Sequence, residues 1–300
     1  MNKVYVLAPS EDWIVDRFVK EWNEDNSDIS VSNPAEADVV WLLADWCWEQ
    51  LFFKGLLKNK KVLTTVHHIV PEKFKDVDIH SFLLRDKITT AYHVYNEQTL
   101  NFIRSFTTKP IHLIKYWANQ NIWNKTEEKQ KLRKKYSLPE DCFLIGSFQR
   151  DTEGKDLISP KLEKGPDLLI DAIETWSKEK KNLHVVLAGW RRQYVINRLT
   201  KLNIPFRYFE KPDQKTINEL YQMLDLYPVT ARCEGGPQSL IECGLLEVPV
   251  VSRNVGIASQ VLPESSISDD VTTAVPNIPN VQEWKLPQGY HPYRLLIQSI

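Results

Sequence analysis

The chain has 300 residues, with 38 lysines and arginines against 39 aspartates and glutamates, so its formal net charge is −1. This balance excludes a protein that holds nucleic acid mainly by neutralising phosphates, because such a domain is normally basic. A hydrophobic share of 42% and a charged share of 26% describe a folded globular chain, whose length fits about two domains.

Short runs rich in β-branched residues alternate with amphipathic segments in the first part of the chain. They predict helices near residues 12–24, 46–58 and 97–106, and strands near residues 3–8, 38–44, 61–67, 89–95 and 111–117. The charged segment 125–141 interrupts the pattern and predicts a surface helix and a linker. We therefore place a first domain at residues 1–130.

The alternation resumes beyond the linker and defines a second domain at residues 138–275. Strands are predicted near residues 142–148, 183–189, 206–210, 226–231 and 248–254, and helices near 166–180, 191–202, 214–224 and 238–246. Two successive sets of βα units predict an α/β protein with two Rossmann-like, doubly wound parallel sheets. We expect the tail, residues 276–300, to pack back toward the domain junction.

The sharpest motif follows a predicted strand and reads CEGGPQSLIECGLLEVPVVS, residues 233–252. Gly235 and Gly236 let the backbone approach a ligand, and Pro237 suits the first position of a helix. The free N–H groups of that first turn, including Gln238, predict an anion site. Glu234 and Glu242, eight residues apart, flank it as acceptors for hydroxyl groups.

A second motif lies between a strand end and a helix start, in residues 145–173. Arg150 and Lys164 stand at the two ends of its polar loop, where they can clamp a diphosphate. Gln149 competes with Arg150 for this role, and we expect Lys161 to be a solvated lysine.

Histidines and aromatic residues give a third signal, in the first domain. His67, with His68 beside it, follows a predicted strand, where a ligand would bind. Most tryptophans are expected in the core, and Trp13, after the first strand, is our choice for stacking on an acceptor sugar. The Asp76-Val77-Asp78 sequence falls in a mixed segment interpreted as a loop, and we assign it no metal.

These residues resemble the retaining glycosyltransferases of family GT4, which have the GT-B fold. The resemblance lies in the E-x7-E motif with Glu234 and Glu242, in KGPDLL after Lys164, and in LTTVHHIVP around His67. It covers residues 60–255 well, and the first 60 residues only by strand order.

The resemblance implies a nucleotide-diphosphate-sugar donor, such as a UDP- or GDP-sugar, bound to the second domain. It places Glu242 at the ribose, Glu234 and His67 at the transferred sugar, and Arg150, Lys164 and the backbone of 235–238 at the diphosphate. It implies transfer to a hydroxyl acceptor (a glycan, a lipid-linked molecule or a small molecule) with retention of configuration. Neither a metal nor a cofactor is expected.

Two departures keep an alternative open. Residues 8–13 replace the Gly-rich loop that family members often have after the first strand, and the first domain is short. A catalytically silent nucleotide-sugar-binding module or partner subunit is therefore the alternative to the enzyme. A GT-B epimerase is a further alternative, although its catalytic acids are not recognisable in this sequence.

The expected location is the cytoplasm. No apolar run reaches the ~20 residues of a membrane span, and the N-terminus does not resemble a signal peptide. The four cysteines show no C-x-x-C spacing, which indicates a reduced protein without a zinc or redox pair. The segment 51–61 mixes apolar residues with four lysines; it predicts a core-facing helix, with peripheral contact at the inner membrane face as the alternative.

Overall fold

The computed structural model describes residues 1–11, 14–154 and 156–300, so that Trp13 lies outside the described residues. The chain divides into two compact units. Unit 1 comprises residues 1–116 and 289–300, and unit 2 comprises residues 117–288. Residues 117–130, assigned to the first domain from the sequence, thus belong to unit 2, and the predicted tail is divided between the units at residue 289.

Strands and helices alternate along both units. The strands are β1 (Val4–Val6), β2 (Val39–Leu42), β3 (Lys61–Val66), β4 (Ala91–Val94), β5 (Ile111–Leu113), β6 (Phe143–Ser147), β7 (Leu183–Ala188), β8 (Phe206–Phe209), β9 (Tyr227–Val229) and β10 (Val250–Ser252). The helices are α1 (Ile14–Asp25), α2 (Glu49–Phe52), α3 (Asp76–Asp86), α4 (Glu97–Ile103), α5 (Lys129–Lys135), α6 (Pro166–Glu179), α7 (Gln193–Lys201), α8 (Gln214–Gln222), α9 (Gln238–Leu246), α10 (Ala258–Val261) and α11 (His291–Ser299). Every predicted strand is found, which confirms the α/β class.

The sheet of unit 1 is parallel, in the order β1-β2-β3-β4-β5. On its outer side, β1 is bridged in parallel by the segment that follows α1. The Val4 N–H donates to Ile29 O at 2.8 Å, and the Val4 carbonyl accepts from Val31 N at 2.9 Å. The chain therefore moves outward from β1 and then crosses back to β2, so the strand order reverses between these two strands.

Helices cover both faces of this sheet. On one face, Trp22 of α1 packs edge-on against Trp41 of β2, with ring centroids 5.2 Å apart, and Tyr293 of α11 stacks on Trp41. On the other face, Phe82 of α3 stacks on Tyr92 of β4 at 5.4 Å. Neighbouring strand residues point to opposite faces, so the sheet is doubly wound.

Two local predictions in unit 1 need correction. The helix predicted over 46–58 is only Glu49–Phe52, because Gly55 and Asn59 take positive φ and the chain turns. The segment at Asp76 is helix α3 and not a loop. The Asp78 carboxylate accepts the Lys75 N–H at 2.9 Å at the helix start. Asp78 is therefore used in capping the helix.

The strands of unit 2 are also parallel, with β6-β7-β8 in one ladder and β9-β10 in another. A bridge between Ile145 and Leu226 joins the ladders, with the Gly146 N–H donating to Leu226 O at 3.0 Å. The spatial order is thus β8-β7-β6-β9-β10, the order of a Rossmann half, and it reverses between β6 and β9.

The core of unit 2 lies against this sheet. Apolar residues at helical spacing in α6 and α7 and alternate residues of β6 and β7 are buried together, as the β-branched runs and the amphipathic helices predict. Its members include Ile145, Ile170, Ile173, Trp176, Val185, Leu187 and Leu199. Across the described residues, none of the helices combines the length and the apolar character needed to cross a membrane.

Candidate functional site

The strand order of unit 2 places its candidate site. Ligands of open α/β sheets bind beyond the carboxyl ends of the strands, where the order reverses. In unit 2 those ends belong to β6 and β9. Arg150 lies three residues after β6, and Glu234 lies in the loop between β9 and α9. The two sequence motifs thus meet at the reversal point.

Lys164 and Glu234 form an ion pair within this site. The Lys164 Nζ donates to Glu234 Oε1 at 2.5 Å, and the two side chains are only 21% and 13% exposed. The predicted diphosphate clamp and the predicted sugar contact are therefore direct neighbours, although 70 residues separate them in the chain.

Gly165 allows this approach. It adopts a left-handed conformation with φ of +61°, and a Cβ here would lie 2.0 Å from the Thr230 carbonyl oxygen. The Thr230 hydroxyl donates to the Gly165 carbonyl at 2.9 Å. A glycine is required because the segment that carries Lys164 lies directly on the end of β9.

Two further cations, Lys161 and Arg150, lie near Lys164 of the ion pair. Burial lowers the pKa of Lys161, and the positive charges of Lys164 and Arg150 lower it further, against the opposing charge of Glu163. Lys161 Nζ lies 3.5 Å from Glu163 Oε1. The expectation that Lys161 is a solvated lysine is therefore wrong. The surroundings of Lys161 could not be predicted from the sequence, because Lys164 and Arg150 come close to it only in the folded loop.

Gln149 and Arg150, which are neighbours in the loop after β6, each donate a hydrogen bond to a backbone carbonyl. The Arg150 Nε donates to the Thr152 carbonyl at 2.8 Å, which holds the guanidinium along its own loop. The Gln149 amide donates to the Lys164 carbonyl at 2.8 Å. Gln149 therefore anchors the lysine backbone, and Arg150 is the cation at this end of the loop.

Helix α9 points its N-terminus into the same region. Pro237 is the N-cap and not the first helical residue, with φ −57° and ψ 112°, and the helix spans Gln238–Leu246, the predicted range. Gly256 lies under the preceding loop, where a Cβ would come within 3.0 Å of the Gly235 carbonyl. The Gln238 Nε2 is buried and has no hydrogen-bond partner among the described residues. Together with the N–H groups of the first turn that lack an intrahelical partner, it makes this end of the helix rich in hydrogen-bond donors.

Glu242 lies on the buried side of α9 and is 8% exposed. The Tyr221 hydroxyl donates to its Oε2 at 2.7 Å. Burial, and then the Glu242 charge, raise the pKa of Tyr221 well above its usual value. The Tyr221 ring packs against Phe148 at 4.6 Å and Tyr227 at 5.3 Å. Tyr221 thus orients Glu242, a role that sequence spacing does not reveal.

A buried ion pair holds the loops after β6 and β7. The Arg192 Nε donates to Asp151 Oδ2 at 2.8 Å, and both side chains are almost fully buried. Arg192 also donates to the carbonyls of Ser147 and Ala188. Burial raises the pKa of Asp151, with Arg192 acting in the opposite direction. This pair was missed from the sequence; it fixes the start of the loop that carries Arg150.

His67 is the one predicted site residue in unit 1. Its Nε2 contacts the Leu43 carbonyl at 2.8 Å. Since a carbonyl only accepts, Nε2 carries the proton and Nδ1 the lone pair. Burial lowers the pKa of His67. This effect is larger than the upward effects of the Leu43 hydrogen bond and of the Asp45 charge. His67 is therefore a neutral hydrogen-bond acceptor at the end of β3, and His68 beside it is exposed.

A metal centre needs several ligating side chains in one place. Within residues 1–11, 14–154 and 156–300, no three His, Cys, Asp or Glu side chains are grouped so that they could hold a metal ion. All four cysteines are free thiols, with Cys47, Cys142 and Cys243 buried and Cys233 half-buried.

Part of unit 2 is similar in sequence to a known protein family. Residues 158–267, which include Lys164, Glu234 and Glu242, match the family of glycosyl transferases group 1. No curated protein matches the chain by sequence.

Solved structures match nearly the whole chain. HepE from Anabaena, in complex with UDP-glucose, has a TM-score of 0.74 at 13% identity over 91% of this chain and 88% of its own. Sucrose-phosphate synthase from Thermosynechococcus elongatus has a TM-score of 0.65 at 15% identity over 98% and 81%. A glycosyltransferase from Rickettsia africae has a TM-score of 0.53 at 16% identity over 89% and 72%. These likenesses show that the fold is GT-B, as predicted.

Proposed function

Starting from the premise that this chain contains a glycosyl transferases group 1 domain, we propose that it is a retaining, metal-independent glycosyltransferase. It moves a sugar from a nucleotide-diphosphate-sugar to a hydroxyl acceptor. The donor binds at the reversal point of unit 2, between the ends of β6 and β9.

The observation that carries the proposal is the concentration of positive groups there. The charges of Lys164 and Arg150 are close enough to Lys161 to lower its pKa, and α9 adds its N-terminal N–H groups and the Gln238 Nε2, which has no hydrogen-bond partner among the described residues. A diphosphate is the ligand that such a set fits best, because it offers several charged oxygens to cations and N–H donors at once.

The two glutamates supply acceptors on either side of the diphosphate. Glu242, oriented by Tyr221, is proposed to accept from the ribose hydroxyls, and Glu234 from a hydroxyl of the transferred sugar. The HepE complexes with UDP and with UDP-glucose support a UDP-sugar as the first donor to test. We propose that Nδ1 of the neutral His67 accepts a hydrogen bond from a sugar hydroxyl.

The chemical step breaks the bond between the anomeric carbon and the diphosphate oxygen, and the diphosphate leaves with the electron pair. The acceptor hydroxyl oxygen forms the new bond on the same face, and its proton passes to the departing diphosphate. The chain's contribution is positioning and stabilisation of the leaving charge by the three cations and by α9. We propose that these groups take the place of a metal ion.

The test is turnover in the presence of EDTA. UDP-, GDP- and ADP-sugars are incubated with a panel of glycan and small-molecule acceptors, and NMR follows nucleotide release and the anomeric configuration of the product. We expect release and a product with the donor's configuration. Inversion, or dependence on an added divalent ion, would refute those parts of the proposal. Nucleotide binding without any release would favour a silent binding module.

The proposal includes a cytoplasmic location and a peripheral contact with the inner membrane face through residues 51–61. Four free thiols support the reduced compartment. For the contact, Phe52 and Phe53 are 43% and 78% exposed next to Lys54. Flotation with vesicles containing anionic lipid tests it, and an equal distribution of the wild type and Phe53→Ala would contradict it.

A further inference from the structure

A second reversal point lies in unit 1, and polar and aromatic side chains gather there. The strand order reverses between β1 and β2, so the carboxyl ends of these strands flank the crevice in which a ligand binds. Glu11 lies five residues after β1 and Trp46 lies four residues after β2. The two side chains meet, because the Trp46 Nε1 donates to Glu11 Oε1 at 3.3 Å.

The Trp46 side chain is exposed, whereas the two tryptophans nearest to it in the sequence are buried. Trp41 and Trp48 are buried, at 0% and 4% exposure, whereas Trp46 is 43% exposed. One side of the indole packs toward His67, with ring centroids 5.9 Å apart. An indole that is partly in solvent, is hydrogen-bonded to a carboxylate and lies at the ligand-binding edge of a sheet points to a contact with a ligand.

The surrounding contacts fix this arrangement. The backbone N–H groups of Ser10 and Glu11 both donate to the Asp16 carboxylate at 2.9 Å, which holds the chain after β1. On the other side, the Arg85 guanidinium pairs with Asp45 at 2.8 Å, and both side chains are mostly buried. Trp46 is therefore anchored through the residue before it, and the indole is presented on a rigid support.

We propose that Glu11 and Trp46 form a binding site for a pyranose ring, which is the acceptor of the glycosyl transfer. The negative face of an indole attracts the C–H groups on one face of a sugar. Glu11 still has Oε2 and its remaining lone pairs for sugar hydroxyls. The inference rests on the proposed function, and it narrows the acceptor from any hydroxyl compound to a glycoside.

The acceptor assignment follows from the charges. The contacts described bring together a carboxylate, an indole and the His67 imidazole but no lysine or arginine, so the site suits a neutral sugar and not a nucleotide diphosphate. The cations that suit the diphosphate lie in unit 2.

The experiment uses the full chain labelled with 5-fluorotryptophan. Fluorine NMR follows the Trp46 resonance, assigned with Trp46→Phe, during titration with a panel of methyl hexopyranosides and their disaccharides. We expect at least one sugar to shift this resonance in a saturable way. Glu11→Gln should weaken that binding by about tenfold, as loss of a charged hydrogen-bond acceptor implies. Phe53→Ala, which removes an exposed aromatic ring of the adjacent segment, should leave it unchanged.

A separate titration with UDP-glucose and GDP-mannose, read by thermal shift, keeps the two proposals apart. Nucleotide-sugar binding with no response of Trp46 to any sugar overturns the acceptor site and leaves the proposed function intact. A Trp46 response that Glu11→Gln does not weaken also overturns it. If no nucleotide sugar binds, the proposed function fails, whatever Trp46 does.

Discussion

The Lys164 ammonium donates to the Glu234 carboxylate at 2.5 Å, and this pair joins the end of the β6–α6 loop to the loop after β9. In the proposed donor site, the two groups have opposite tasks toward a nucleotide-diphosphate-sugar. Lys164 attracts the phosphates, whereas Glu234 repels them and accepts from a sugar hydroxyl. A bound diphosphate must therefore compete with Glu234 for the lysine.

Glu234→Gln should separate binding from transfer. The neutral amide releases Lys164 and removes a negative charge, so free UDP should bind about three- to tenfold more tightly, which is about 1 kcal/mol. Sugar transfer should fall, because the acceptor for the sugar hydroxyl is weakened. Calorimetric titration with UDP and a turnover assay measure the two effects. Weaker UDP binding by Glu234→Gln would contradict this account.

Lys161→Ala should weaken the binding of free nucleotide diphosphate by about tenfold, as expected for the loss of one charged hydrogen bond to phosphate. The control is Lys178→Ala, which removes a 70% exposed lysine of α6 that pairs only with Glu174 along the helix. Titration of both variants with UDP decides. Equal affinities for the two variants would show that Lys161 does not contact the ligand.

Gly165→Ala should destabilise unit 2 and displace Lys164. A Cβ at this position would overlap the Thr230 carbonyl, and overpacking of this kind costs roughly 1–3 kcal/mol. Gly154→Ala is a matched control, because Gly154 also has positive φ, at +59°, but nothing lies within 4 Å of its Cβ position. Thermal melts should place Gly165→Ala clearly below Gly154→Ala. Coincident melting temperatures would show that the contact with β9 is not tight.

His93 in the core of unit 1 should make stability depend on pH. Trp41 Nε1 donates to Thr65 Oγ1 at 2.8 Å, the Thr65 hydroxyl lies 2.9 Å from His93 Nδ1, and His93 Nε2 lies 3.1 Å from the Ile114 carbonyl. The carbonyl fixes the proton on Nε2, so Nδ1 accepts. Burial lowers the pKa of His93 to about 3, and His67 and His112 act in the same direction, against the Ile114 bond.

The neutral form is therefore favoured in the folded state. The stabilisation is complete above the unfolded pKa of about 6.5 and is lost as the pH falls toward the folded value, by about 1.4 kcal/mol per pH unit. His93→Gln offers an acceptor and a donor without titrating. Urea unfolding between pH 7 and pH 4 should show a shallower loss of stability for His93→Gln than for the wild type. Parallel losses would contradict the assignment.

The strands were predictable because they are short runs of β-branched or aromatic residues that alternate with amphipathic segments. Helix α3 was not predictable in the same way. Its apolar residues do not all lie on one face, because Val77 and Leu83 are 74% and 43% exposed. The bridge from Val4 to the chain after α1 is a single pair, too short to leave a sequence signal. Without it, the reversal point of unit 1 cannot be located.

Glu234, Glu242 and Lys164 could be singled out from the sequence because they stand in motifs with glycine and proline at fixed positions, and their role in donor binding stays a prediction. Their partners could not be singled out in this way. Tyr221 reaches Glu242 from another helix, and Arg192 reaches Asp151 from 41 residues away. Lys161 was misread because its neighbours in space are charges that only the folded loop brings together.

The central claim is that unit 2 binds a nucleotide diphosphate through its own cations. The most direct measurement is a thermal-shift titration of the wild type and Lys164→Ala with UDP, GDP and ADP in EDTA. A ligand at about 100 times its Kd adds about 2.7 kcal/mol to the free energy of unfolding. The account predicts a clear shift for one nucleotide in the wild type and a much smaller one in Lys164→Ala. No shift with any nucleotide, or equal shifts in both proteins, would contradict it.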